Sequence, residues 1–195
     1  MNYHQFQDSS LNGRKFVMTH IVSDEVLGRF SRQQIVDRQK TYLKTLYDGK
    51  PIILPPAKGS MTIAKSSDIF AGYLDSNFKN WGTDKKGIDT EEVPVSVLEI
   101  RRNGTFAQFL GSLSDNLEKL HFSQGQIVEF AKLHRNKLRA EGYGTFFLFK
   151  VGKEYFVANI FKGGILLEAN VDRFDNSRIW RAVYRHRFVV PQLKL

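Results

Sequence analysis

Three apolar runs follow one another almost without interruption: Thr145–Val151, Tyr155–Phe161 and Ile165–Val171, joined by Gly152-Lys153 and Gly163-Gly164. Runs of this length, rich in Phe, Val and Ile, are strand sequence, and glycine in a two-residue connection supplies the positive φ that a tight hairpin turn requires. A chain carrying such a stretch is committed to an antiparallel meander that something else must cover. Two more strands are read, one over Val93–Ile100, with Pro94 near its start, and one from roughly Ile179 to Val190, closed by Pro191.

The covering elements are helical. Thr105 opens a short helix bearing Phe106, Phe109 and Leu110. Ser114 caps another, with Asp115 and Glu118 near its positive end. Ser123 with Gln126 forms a capping box, and the long helix it opens carries Ile127, Phe130, Ala131, His134 and Leu138 on one side and stops at Gly142. The order from residue 93 is β-α-α-α-β-β-β-β, an α+β domain whose mostly antiparallel sheet packs with two or three helices.

Ahead of it, a capping box at Ser31 and Gln34 opens a helix running to about Leu46, and a second short helix is read from Asp68 to about Phe78. Asn80–Glu92 is polar, glycine-containing and aperiodic, a linker or loop. The division is therefore a helical or irregular N-terminal region over 1–90 and a C-terminal α+β domain over 91–195. The segments beginning at Phe30 and Phe122 share a pattern, Phe-Ser-x-x-Gln-Ile-Val, which common helix-start grammar explains without duplication.

With 42% hydrophobic residues and 16 phenylalanines, the chain has the apolar material for a core, which sets it apart from disordered sequences. No run approaches the roughly 18 apolar residues of a membrane helix, so no membrane role is expected. The first residues lack the layout of a secretory signal. Cysteine is absent, which removes disulfides, thiolate nucleophiles and Cys-ligated metals and agrees with a cytoplasmic location. The five histidines stand far apart and none forms a His-Glu-x-x-His pair, so neither a metal nor a cofactor is expected.

Charge divides unevenly. Residues 1–92 hold 13 Lys+Arg against 11 Asp+Glu, whereas residues 93–195 hold 16 against 9. On a long helix, Lys132, Arg135 and Arg139 fall three and four apart and make one stripe. On a strand, Arg185 and Arg187 share a face opposite Tyr184, His186 and Phe188. These five cations, Lys132, Arg135, Arg139, Arg185 and Arg187, are the expected nucleic-acid contacts, with Arg101, Arg102, Arg173, Arg178 and Arg181 adding to the field. Five to seven phosphate contacts predict a log K against log salt slope of about −5 to −6.

Other features point to packing. The aromatics of the central strands, Phe146, Phe147, Phe149, Tyr155, Phe156 and Phe161, suit a sheet covered on both faces better than a base-stacking platform. Gln124 and Gln126, at the start of a basic helix, have the side chains that read adenine edges, but Gln126 already has a capping role. His186, flanked by arginines, is expected to be buried, hydrogen-bonded and depressed in pKa. No nucleophile elbow, phosphate-binding loop or dinucleotide fingerprint occurs.

The order of elements is similar to that of small ribosome-dependent toxin ribonucleases. That resemblance implies parts for Arg135, Tyr184, Arg185, His186 and Arg187, although the first half of the chain departs from those compact toxins. The blocks Gly144-Thr145-Phe146-Phe147-Leu148-Phe149-Lys150 and Arg185-His186-Arg187-Phe188-Val189-Val190-Pro191-Gln192 resemble an uncharacterised group of bacterial hypothetical proteins over residues 75–195. This implies a structural unit and brings no activity. The leading expectation is a non-catalytic accessory protein that binds RNA or DNA. The alternatives are a small basic ribonuclease-like enzyme, and a protein-interaction module whose N-terminal region pairs with itself or with a partner.

Overall fold

A computed structural model describes residues 42–47 and 51–192. Every described residue belongs to one compact unit. Expectations for the first 41 residues, including the capping box at Ser31, lie outside the described residues.

The meander forms as its turns dictate. Strand β5 (Gly144–Val151) pairs antiparallel with β6 (Glu154–Gly163), and β6 with β7 (Leu166–Arg173). Gly152 and Gly164, at φ of 62° and 61°, make the turns possible. After β7 the chain crosses one face of the sheet through residues 174–186. It then enters β8 (Arg187–Pro191), which runs parallel to β5 and antiparallel to β4 (Val93–Ile100). Three short strands complete the sheet. β1 (Leu43–Thr45) and β2 (Ile52–Leu54) share the free edge of β4, and β3 (Tyr73–Leu74) runs parallel to β7. The order is β1-β4-β8-β5-β6-β7-β3, with β2 also on β4. The fold is α+β and the sheet is mixed, with five antiparallel pairings and two parallel ones among the described residues.

Residues before 91 are thus part of this sheet, and the boundary expected near residue 90 falls inside it. Leu43–Thr45, expected at the end of a helix, is strand because Leu43 and Leu46 satisfy the backbone of β4. The helix read over 68–78 is replaced by β3 and the single turn α1 (Asn77–Asn80). Gly72 allows the close approach, since a Cβ there would meet Leu167 O at 3.1 Å.

Both faces of the sheet are covered. On one, Phe147, Phe149, Phe156, Ile160 and Val189 meet Phe70, Phe78 and the helix α3 (Gln124–Leu133). On the other, Phe146, Leu148, Val157 and Phe188 meet Trp180 and the helix α2 (Phe106–Gly111). Burying each large side chain contributes about 1.5–3 kcal/mol. The central phenylalanines Phe146, Phe147, Phe149 and Phe156 are at most 1% exposed and cannot stack on bases.

The expected capping box of Ser123 with Gln126 opens α3, and Thr105, expected to start α2, forms a capping box with Gln108 as well. The turn near Ser114 is a short 3-10 segment, Leu117–Lys119, capped by Asn116. The long helix read through to Gly142 ends at Leu133, and a 3-10 turn, Arg135–Lys137, follows. The Arg187 guanidinium holds the carbonyls of Lys137 and Leu138 at 2.6 and 3.0 Å, where continued helix would have used them internally. No helix among the described residues is long and apolar enough to cross a membrane.

Candidate functional site

The helical stripe of Lys132, Arg135 and Arg139 does not form, because only Lys132 stands on α3. Each of the five expected contacts has a partner within the protein. Lys132 pairs with Glu129 at 3.0 Å. Arg135 donates to the Ile165 carbonyl. Arg139 meets Glu141 and the Tyr184 carbonyl, both at 3.4 Å. Arg185 pairs with Glu99 at 3.1 Å. Arg187, as described, holds the end of the 135–137 turn.

The alternation read across residues 184–187 also fails, since Ala182–Tyr184 is a 3-10 turn and Arg185 is left-handed at φ 52°. Tyr184 is exposed while His186 is buried. Gln124 is likewise committed, accepting from Ile63 N and donating to Thr83 O.

Six buried polar side-chain atoms lack a partner among the described residues, on Thr62, His121, His134, Asn159, Trp180 and Arg187, and two of those residues, Asn159 and Trp180, line one cleft. On the face that carries Phe146 and Phe188, the sheet turns polar toward its β7 edge. Asn159 on β6 stands opposite Asn170 on β7, and Asp172 follows two residues along. The crossing segment, with Arg178, Trp180, Arg181 and Tyr184, lies over this row and encloses a cleft of about 710 Å³, a volume typical of small-ligand sites.

Asn159 is 2% exposed, and its Oδ1 has no hydrogen-bond partner among the described residues. Leaving a buried amide unpaired costs about 2–7 kcal/mol. The Nε1 of Trp180, 4% exposed in the same cleft, is unpartnered too. Asp172 receives only a 3.4 Å contact from Asn176 Nδ2. Burial, assisted by Asp75, raises its pKa against the pull of Arg178. Asp75 itself is committed, accepting from the backbone N–H groups of Asn77 and Val171.

His186 closes the other end. It is 5% exposed and accepts the Gly144 N–H at Nδ1, 3.0 Å away. Burial first, then Arg178 and Arg139, push its pKa down to about 4. It is therefore neutral at pH 7, with its proton on Nε2. The expected buried, depressed histidine is found, although the arginines acting on it are not its chain neighbours. The Arg178 guanidinium lies 4.2 Å over the Trp180 ring, which fixes a cation at the cleft wall. Tyr143 and Tyr184 stack at 5.2 Å beside His186.

The cleft is therefore lined by a carboxylate and amides from β6 and β7 and by arginines from the crossing segment, with Arg178 near enough to Asp172 to act on its charge. Sequence reasoning placed Arg178 and Arg181 in the basic field and singled out Tyr184 and His186. It missed Asn159, Asn170, Asp172 and Trp180, although an asparagine inside Phe156-Val157-Ala158-Asn159-Ile160 was a readable anomaly. Among the described residues no three His, Asp or Glu side chains cluster to hold a metal ion. Comparison with protein-family models, curated proteins and solved structures returns no match to this chain.

Proposed function

We propose that this protein binds single-stranded nucleic acid, without catalysis, through the cleft between the β6–β7 face and the crossing segment. The observation that carries the reading is the buried, unpaired Asn159 amide in a cleft whose wall holds Arg178 against Trp180. Buried amides without partners favour a ligand with a hydrogen-bonding edge, and arginines beside them favour a phosphate. A cleft of this volume has room for a splayed-out base.

His186 favours binding over the ribonuclease-like alternative. Its Nδ1 lone pair is taken by Gly144 N–H, so it offers a neutral donor and no base. Of the five cations expected from sequence, Arg139 retains a part, as the charge that acts on His186 from beside Tyr143.

The test is anisotropy of labelled single-stranded RNA and DNA oligonucleotides with the full chain, alongside Arg178→Ala and Arg181→Ala. Binding that each variant weakens several-fold supports the reading. Affinity unchanged in both variants contradicts it.

A further inference from the structure

We infer that the cleft selects guanine among the bases, with Asp172 as the group that distinguishes it. The inference rests on the nucleic-acid reading above and deepens it. Its starting point is the row Asn159, Asn170 and Asp172, three polar side chains adjacent on one face of β6 and β7. Within the described residues the row makes a single side-chain hydrogen bond, from Asn176 Nδ2 to Asp172 at 3.4 Å. Asn159 is 98% buried and unpaired at Oδ1, so the row is built into the fold and is more than a solvated strand edge.

The base follows from hydrogen-bond complementarity. An ionised carboxylate only accepts, and its two oxygens suit two adjacent parallel donors. Guanine presents that pair on its Watson–Crick edge, as N1–H beside the exocyclic amine. Cytosine and adenine set one amino group beside a ring-nitrogen acceptor, which the carboxylate repels. Uracil sets one N–H between two carbonyls. The Nδ2 atoms of Asn159 and Asn170 can donate to guanine O6 and N7, which no carboxylate does, whereas the unpaired Asn159 Oδ1 is an acceptor and takes no part in that contact. Arg178 and Arg181 line the same cleft, where they are available to a phosphate.

Asp172 does have a neighbouring cation in Arg178. That guanidinium, however, is held over the Trp180 ring, and no hydrogen bond joins it to the carboxylate among the described residues.

The experiment is calorimetric titration of the full chain with the 5′-monophosphates of guanosine, inosine, adenosine, cytidine and uridine. Inosine lacks only the exocyclic amine. The guanosine nucleotide should bind tightest, about tenfold or more above the inosine nucleotide for the one missing donor to a charged acceptor. Asp172→Asn, a nearly isosteric change, should bring the two within a factor of two, whereas Arg178→Ala should weaken every nucleotide by a similar factor. A melting curve confirms that each variant is folded, and Asn170→Ala is a second route, expected to weaken guanine binding selectively. Equal affinity for all five nucleotides, or a guanine preference untouched by Asp172→Asn, overturns the inference and leaves the nucleic-acid reading standing. Failure of every nucleotide together with single-stranded oligonucleotides overturns both.

Discussion

The backbone N–H of Gly144 donates to Nδ1 of His186 across 3.0 Å, joining the first residue of β5 to the residue that precedes β8. Gly144 also lies against Asn159, where a Cβ would come within 2.0 Å of Oδ1. One small residue thus sets the tautomer of the histidine and the position of the unpaired amide. Gly144→Ala is expected to lower stability by about 1–3 kcal/mol through overcrowding. It should also reduce nucleic-acid affinity, which a merely structural glycine distant from the site would not do. Denaturant midpoints and anisotropy on the same preparation separate the two effects.

His186 makes stability pH-dependent in a defined window. Its pKa is about 4 when folded and 6.5 in the unfolded chain. Below pH 6.5 the unfolded state gains a proton that the folded state refuses, so stability falls as pH drops from 6.5 toward 4. Its magnitude is on the order of 2–3 kcal/mol. His186→Gln should flatten that part of the stability profile, and nitrogen NMR of the wild type should show the Nε2–H form at pH 7. A doubly protonated ring at pH 6 would count against this account.

Asp172 carries the opposite sign. Its pKa is raised by burial and by Asp75, so the folded state holds its proton more tightly and loses stability as pH rises through its titration. Asp172→Asn should therefore melt at the same temperature or higher at pH 7, while losing the guanine preference. Any gain should shrink as pH falls and the wild-type carboxyl becomes protonated. A binding residue that costs stability is a common mark of a functional position. Equal loss of both stability and affinity would instead mark Asp172 as structural.

Arg187 is expected to matter for folding. Its guanidinium donates to two carbonyls that end the 135–137 turn, and hydrogen bonds from charged groups contribute about 1.5–3 kcal/mol. Arg187→Ala should destabilise by about that amount. At temperatures where both proteins are folded, affinity for oligonucleotides should be close to wild type.

Local rules were legible where they act within a few residues. The meander, the helix start at Thr105, the capping box at Ser123 and the two-faced aromatic core all follow from turn chemistry, capping and apolar runs. What escaped depends on distant partners. The helix was read past Leu133 because nothing nearby shows that Arg187, some 50 residues on, captures the carbonyls of Lys137 and Leu138. The stripe of Lys132, Arg135 and Arg139 was lost with those extra turns. Residues 184–186 carry a strand-like pattern, but Arg185 in the left-handed region breaks the alternation. The cleft was legible only as scattered hints, because Asn159 and Asn170 meet through strand register and the crossing segment brings Arg178 over Trp180.

The most direct test of the cleft as a nucleic-acid site is a salt titration of a labelled guanine-containing single-stranded oligonucleotide, with wild type and the Arg178→Ala, Arg181→Ala double variant. Two phosphate contacts predict a log K against log salt slope of about −1.4 for the wild type and a slope near zero, with much weaker binding, for the variant. Identical slopes and affinities in the two proteins, or no wild-type binding at low salt, would contradict it.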